Sequence, residues 1–194
     1  MLEGLDIPSR IHLNVEGSCG GTTFALTMAR NSLIDGGRVL WVSPEFPDET
    51  RFSQIFAEVD ITSSTRFHAV NLVGKLEQTV DSLARLAGSL PNVSLIVIDD
   101  WCEKQGKIPT SSISAMEKLS KNISEKIVLV LITKLGTNVS GEAEFNVRGE
   151  KAMIEAKFSI CQLTKQDNSS KRMFLRDGEL FELSIEDSGF KAVA

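Results

Sequence analysis

Four stretches of the chain are apolar almost without a break: RIHLNVEG at 10–17, RVLWVSPE at 38–45, VSLIVIDD at 93–100 and KIVLVLIT at 126–133. A strand with one wet face alternates apolar and polar residues. Runs this dense in Val, Ile and Leu predict strands buried on both faces, as in a parallel sheet covered by helices. Between them the period lengthens. TTFALTMARNSLIDGG at 22–37 reads as a helix stopped by Gly36 and Gly37. Within 72–90, Leu72, Leu76, Val80, Leu83 and Leu86 fall on one stripe, which predicts a second helix. A third is expected over 110–126, capped by Thr110 or Ser111. TRFHAVN at 65–71 predicts a short additional strand.

The tail changes character. KFSICQLTK at 157–165, a turn over 166–170, KRMFLRDGE at 171–179 and LFELSIED at 180–187 read as antiparallel strands, with RDGE as a hairpin signal. The expected architecture is therefore α/β, a mostly parallel sheet flanked by helices and finished by antiparallel strands. No repeat, low-complexity tract or linker divides the sequence. It reads as one domain over 1–194, with 1–9 as an N-terminal extension.

Composition narrows the class. With 42% hydrophobic and 24% charged residues, the 194-residue chain is an ordinary globular protein with enough length for a full core. A net charge of −5 argues against a strong stand-alone nucleic-acid binder. Cys19, Cys102 and Cys161 are odd in number and far apart, which points to free thiols in a reducing, cytoplasmic setting. No apolar run approaches the roughly 20 residues of a membrane span, and the start lacks the pattern of a secretory signal.

The candidate chemistry begins where the first strand meets the first helix. A phosphate-binding loop has the form G-x-x-x-x-G-K-[ST]: backbone N–H groups wrap the phosphates, the lysine reaches the β- and γ-phosphates, and the last hydroxyl ligates Mg²⁺. Here the eight positions are Glu16, Gly17, Ser18, Cys19, Gly20, Gly21, Thr22 and Thr23. Gly21 and Thr23 fit. Glu16 stands in place of the first glycine and Thr22 in place of the lysine. One cation is lost and one carboxylate is added near a polyanion, which is expected to cost several kcal/mol of binding. Residual binding through residues 17 to 23 and the helix N-terminus stays open, as does the plainer role of glycines that permit a tight turn. LIVIDD at 95–100 has the form of the second nucleotide motif, with Asp99 as the metal-holding carboxylate alongside Thr23 should Mg²⁺-nucleotide bind. Glu45, at the end of its strand, is a candidate general base, vestigial if no γ-phosphate reaches it.

Taken together these segments resemble the RecA superfamily of ATPase cores, and in particular the archaeal RadA paralogues of the RadB type. VLWVSPEFPDETRFSQIF at 39–56 is similar to the family's strand, glutamate and following helix, with Glu45, Arg51, Phe52, Gln54 and Ile55 matching; SLIVIDDW, KIVLVLIT and the closing strands also correspond. The resemblance runs over roughly residues 10 to 190 and implies a RecA-like twisted sheet. Besides Glu16 and Thr22, it departs at Leu135, where the family carries a sensor glutamine. The three losses imply a non-hydrolysing relative, an accessory or regulatory protein of DNA recombination and repair, with no cofactor expected and ATP/Mg²⁺ at most weak. An ATPase with an atypical loop and a scaffold binding neither nucleotide nor DNA are the alternatives. The implied partners are a recombinase or related paralogue and, weakly, DNA, with no membrane. Two loops of the family face DNA, here 101–112 and 134–152; Lys134, Arg148, Lys151, Lys171 and Arg172 are the candidate contacts, with Trp101 and Phe145 as possible base-stacking groups. Lys134 is also a candidate cation for a phosphate site. His12 and His68 read as core or surface imidazoles. Cys19 reads either as a small buried residue or as a thiol activated by the helix N-terminus.

Overall fold

The computed structural model describes residues 4–72, 76–137, 145–165 and 170–193. Along the chain run β1 (Arg10–Val15), α1 (Gly21–Ile34), β2 (Arg38–Ser43), α2 (Glu49–Ile55), α3 (Ile61–Ser64), β3 (Phe67–Asn71), α4 (Leu76–Ser89), β4 (Val93–Ile98), α5 (Thr110–Asn122), β5 (Val128–Lys134), β6 (Gly136–Thr137), β7 (Phe145–Asn146), α6 (Glu150–Glu155), β8 (Ser159–Thr164), β9 (Lys171–Arg176), β10 (Glu179–Glu186) and β11 (Gly189–Ala192). Nine strands form one sheet in the order β3-β2-β4-β5-β1-β8-β9-β10-β11. Pairings from β3 to β8 are parallel, and those from β8 to β11 antiparallel. The expected architecture is thus the observed one.

The unbroken apolar runs follow from two cores. On one face Ile11, Leu13, Val39, Trp41, Val97 and Val130 pack against α1. On the other Leu40, Val42, Ile96, Ile98, Leu129 and Leu131 pack against α4 and α5 through Val80, Leu83, Met116 and Leu119. Burial of each such side chain contributes about 1.5–3 kcal/mol. α1 is buried nearly all round, because the antiparallel tail folds back over it. Phe24 stacks on Phe174 at 5.3 Å and meets the edge of Phe190, while the Thr27 hydroxyl accepts the Phe190 N–H at 3.0 Å.

Several expectations shift. α2 and α3 are each capped by an aspartate, Asp48 accepting from the Arg51 N–H and Asp60 from the Ser63 N–H. Such caps fix short helices: α2 is the helix that the resemblance implies after Glu45, and α3 is unexpected. The stretch expected as a flexible loop over 134–152 holds the small β6–β7 hairpin and the start of α6, while 138–144 lie outside the described residues. The start of the second expected helix, 73–75, and most of the turn over 166–170 lie outside them too. Leu5 and Ile7 are buried in the first core, so the later part of the N-terminal extension belongs to the domain. No helix among the described residues is long and apolar enough to cross a membrane.

Candidate functional site

In an open parallel sheet, ligands gather at the C-terminal strand ends where the strand order reverses. β1 ends at Val15 beside Lys134 of β5, and β4 ends next to β5. Residues 16 to 20 leave β1 at this edge and turn into α1. Gly20 takes a left-handed backbone, φ 90°. A Cβ on Gly21 would stand 2.7 Å from Val15 Cγ2. The turn itself therefore demands both glycines, whatever it binds. No side chain caps α1, which leaves the N–H groups of its first turn facing the crevice.

Glu16, Cys19, Thr22 and Thr23 each have an internal partner. The Glu16 carboxylate accepts the Lys165 N–H at 2.7 Å and the Cys19 thiol at 3.5 Å. The Thr22 hydroxyl donates to Asp99 Oδ2 at 2.7 Å. The Thr23 hydroxyl accepts from Arg51 Nε at 3.2 Å. Arg51 also donates to the carbonyls of Glu186 and Asp187, so it ties α2 to α1 and to the β10–β11 turn. Arg172 donates to the Cys19 carbonyl at 3.2 Å and holds the loop from the β9 side.

Two cavities share this wall. One of about 340 Å³ is lined by Thr22, Thr23, Glu45, Arg51, Asp99 and Lys104, among others. The second, of about 250 Å³, is lined by residues 15 to 22 together with Asp99 and Lys134. The structure thus brings Glu45, Thr22, Thr23 and Asp99 to one cavity. Asp99 is buried, and burial pushes its carboxyl up to about 6; neighbouring Asp100 adds to the rise while the Thr22 hydrogen bond opposes it. Cys19 is buried and its thiol is pushed up to about 11 by burial and then by Glu16, the opposite of an activated thiolate.

A magnesium triphosphate needs a lysine at the loop, a free hydroxyl at its end and an ionised aspartate beyond it. The residues present do not fit that demand. Thr22 offers no charge and occupies Asp99, and the Thr23 hydroxyl faces a guanidinium where a metal ion would stand. Leu135, where the resemblance implies a sensor glutamine, is buried, its N–H bonded to the Val15 carbonyl.

The candidate nucleic-acid contacts do not form one patch. Lys134 is exposed at the cavity wall and has no ion-pair partner among the described residues. Lys151 is exposed on α6. Lys171 pairs with Glu182 at 2.7 Å, and with Arg172 it sits on β9, three strand spacings (about 14 Å) from β5. Arg148 is buried rather than on a surface, its guanidinium spent on backbone carbonyls. Trp101 is only 2% exposed and packs edge-on against His12, so its ring offers no stacking face. Phe145 opens β7. His12 is buried and lowered to about 3 by burial and by Arg148. Sequence reasoning passed over the internal roles of Arg51, Arg148 and Arg172. Arg51 alone carried a signal, lying three residues after the cap Asp48.

No protein-family profile matches the chain and no curated protein is similar to it in sequence. Solved structures are similar in shape. A RadB recombinase matches at a TM-score of 0.74 with 16% identity, over 96% of this chain and 92% of that one. A DnaB-like replicative helicase matches at 0.69 with 12% identity, over 96% of this chain and 57% of the helicase. A KaiC-like protein from the hyperthermophilic archaeon Pyrococcus horikoshii matches at 0.68 with 14% identity, over 100% and 93%. The chain has the RecA-type fold of P-loop ATPase cores.

Proposed function

We propose that this chain is a RecA-type core without ATP turnover, acting as an accessory or regulatory protein of DNA recombination and repair. The observation that carries the reading is the 2.7 Å hydrogen bond from Thr22 to Asp99. The residue in the lysine's place neutralises nothing and engages the carboxylate that would serve the metal. Recombination is suggested by the likeness to a RadB recombinase, a likeness of fold. In this reading the partner is a recombinase or a related paralogue, and DNA binding is weak, resting on Lys134 and Lys151 rather than on Arg148. Calorimetric titration with ATP and Mg²⁺, paired with a phosphate-release assay, tests it: the reading requires no saturable binding heat and no released phosphate.

A second reading has its own observation. Lys134 lines the cavity over the loop with no ion-pair partner among the described residues, so a cation of this chain stands near the missing one. It corresponds to an ATP-binding core with an atypical loop. Loss of nucleotide binding on Lys134→Ala separates it from the first.

A further inference from the structure

Among the described residues, Arg148 carries its charge into a place where no carboxylate pairs with it. It is 8% exposed. Its Nε and Nη2 donate to the Gly106 carbonyl at 3.0 and 2.8 Å, Nη2 to the Gln105 carbonyl at 3.2 Å, and Nη1 to the Glu103 carbonyl at 2.6 Å and the Thr133 hydroxyl at 3.3 Å. One guanidinium thereby ties the stretch after β4 to the turn before α6, and both to the end of β5. Among the described residues it makes no ion pair.

The floor under this contact is unsatisfied. His12 Nε2, Asn14 Oδ1 and Trp101 Nε1 are buried with no hydrogen-bond partner among the described residues. Asn14 pairs in register with Thr133, and the His12 and Trp101 rings meet at 5.7 Å, so these groups lie in the same small region. A buried charge with no counter-ion among the described residues, and three unpaired polar groups, work against the closed arrangement. Against that, the planar fork of one side chain and the packing of buried Ile108 against Gly149 hold it closed. On the outer side, Arg148 lines a cavity of about 610 Å³ between the two segments, together with Lys104, Lys134 and a single acid, Glu16.

We propose that Arg148 is an internal latch. Closed, it joins residues 103–106 to residues 145–149 and withholds its charge from the cavity between them. A phosphate-type anion entering that cavity competes with the three carbonyls, because charged oxygens are stronger acceptors for a guanidinium than amide carbonyls are. The segments then part and the charge turns outward. The latch rests on the proposed weak DNA contact at Lys134, which lines the same cavity, and it adds the device that regulates access.

The test compares Arg148→Lys, which keeps the charge and loses the fork, with Arg148→Gln, which loses both. Hydrogen exchange over 101–107 and 145–149 accelerates about tenfold or more in both variants, while β4 and β5 keep their protection. Binding at low salt is measured with a short single-stranded oligothymidylate and, separately, with inorganic tripolyphosphate. Arg148→Lys binds at least one of them about threefold tighter than the wild type, and Arg148→Gln binds neither tighter. Unchanged exchange in both variants, or equal binding by Lys and Gln variants, overturns the latch. Tighter binding of tripolyphosphate alone upholds it and removes the nucleic-acid part of the proposed function. Should both variants fail to fold, the wild-type chain decides: tripolyphosphate accelerates exchange in the same two segments, and unchanged or slowed exchange overturns the proposal.

Discussion

The Thr22 hydroxyl donates to Asp99 Oδ2 across 2.7 Å, joining the start of α1 to the residue just past β4. In a nucleotide site a cation stands between these two elements. Here a hydrogen bond from a neutral hydroxyl does, and the carboxylate it reaches is buried. That single substitution of a hydrogen bond for a charge has consequences for stability, for pH dependence and for binding.

Asp99 is the first consequence. Its folded carboxyl rises from an ordinary 3.8 to about 6, chiefly through burial. A carboxyl with a raised folded value costs nothing below its unfolded value and its full penalty above the folded one. The penalty is on the order of 3 kcal/mol. Asp99→Asn keeps an acceptor for Thr22 and removes the charge. It is expected to stabilise the fold by up to about 3 kcal/mol at pH 7.5 and by almost nothing below pH 4, by denaturant titration. An equal gain at both pH values contradicts the assignment.

His12 works in the opposite sense. Burial lowers it from 6.5 to about 3, with Arg148 adding to the fall. A base with a depressed folded value contributes stability above its unfolded value and loses it as pH falls through 6.5 toward 3. The loss reaches on the order of 5 kcal/mol. Between pH 6 and 4 the two groups therefore oppose each other. The difference between wild type and His12→Leu isolates one of them: the variant lacks the acid-side decline that the imidazole causes, as measured by urea midpoints across that range.

How much of this was legible in the sequence depends on where each residue's partner lies. The strands were legible because burial on both faces writes itself as unbroken Val, Ile and Leu, as in residues 93 to 98. That Thr22 stands where the phosphate-loop pattern has lysine was legible because a motif has fixed spacing. The Thr22–Asp99 contact was not, since the two residues are 77 positions apart and only the fold brings them together. β11 is four residues long, and its place depends on Thr27 receiving the Phe190 N–H, a tertiary contact with no local trace. Arg148 reads as a surface cation because a carbonyl acceptor leaves no mark on sequence. α6, with six residues behind Gly149, is too short to show a period.

Gly21 offers a test of structure against function. Because an added Cβ meets Val15, Gly21→Ala is expected to cost about 1–3 kcal/mol with or without nucleotide. In a Val15→Ala background the same change costs less, by at least about 0.5 kcal/mol. Thermal unfolding of the four proteins checks this, and strict additivity contradicts the packing account.

Restoring the motif is the converse experiment. Thr22→Lys with Glu16→Gly returns the cation and removes the carboxylate. The double variant is expected to show saturable binding of ATP with Mg²⁺ by calorimetry, at a dissociation constant of about 100 μM or tighter, where the wild type shows none. If affinity does not rise, the obstacle is the Arg51 guanidinium at Thr23, and Arg51→Ala on the same background should then release it.

The most direct measurement of the central claim is the titration of the unmodified chain with ATP and Mg²⁺ under low salt, followed for phosphate release in the same sample. The account predicts no saturable heat and no phosphate above the buffer rate. Micromolar binding accompanied by hydrolysis contradicts it.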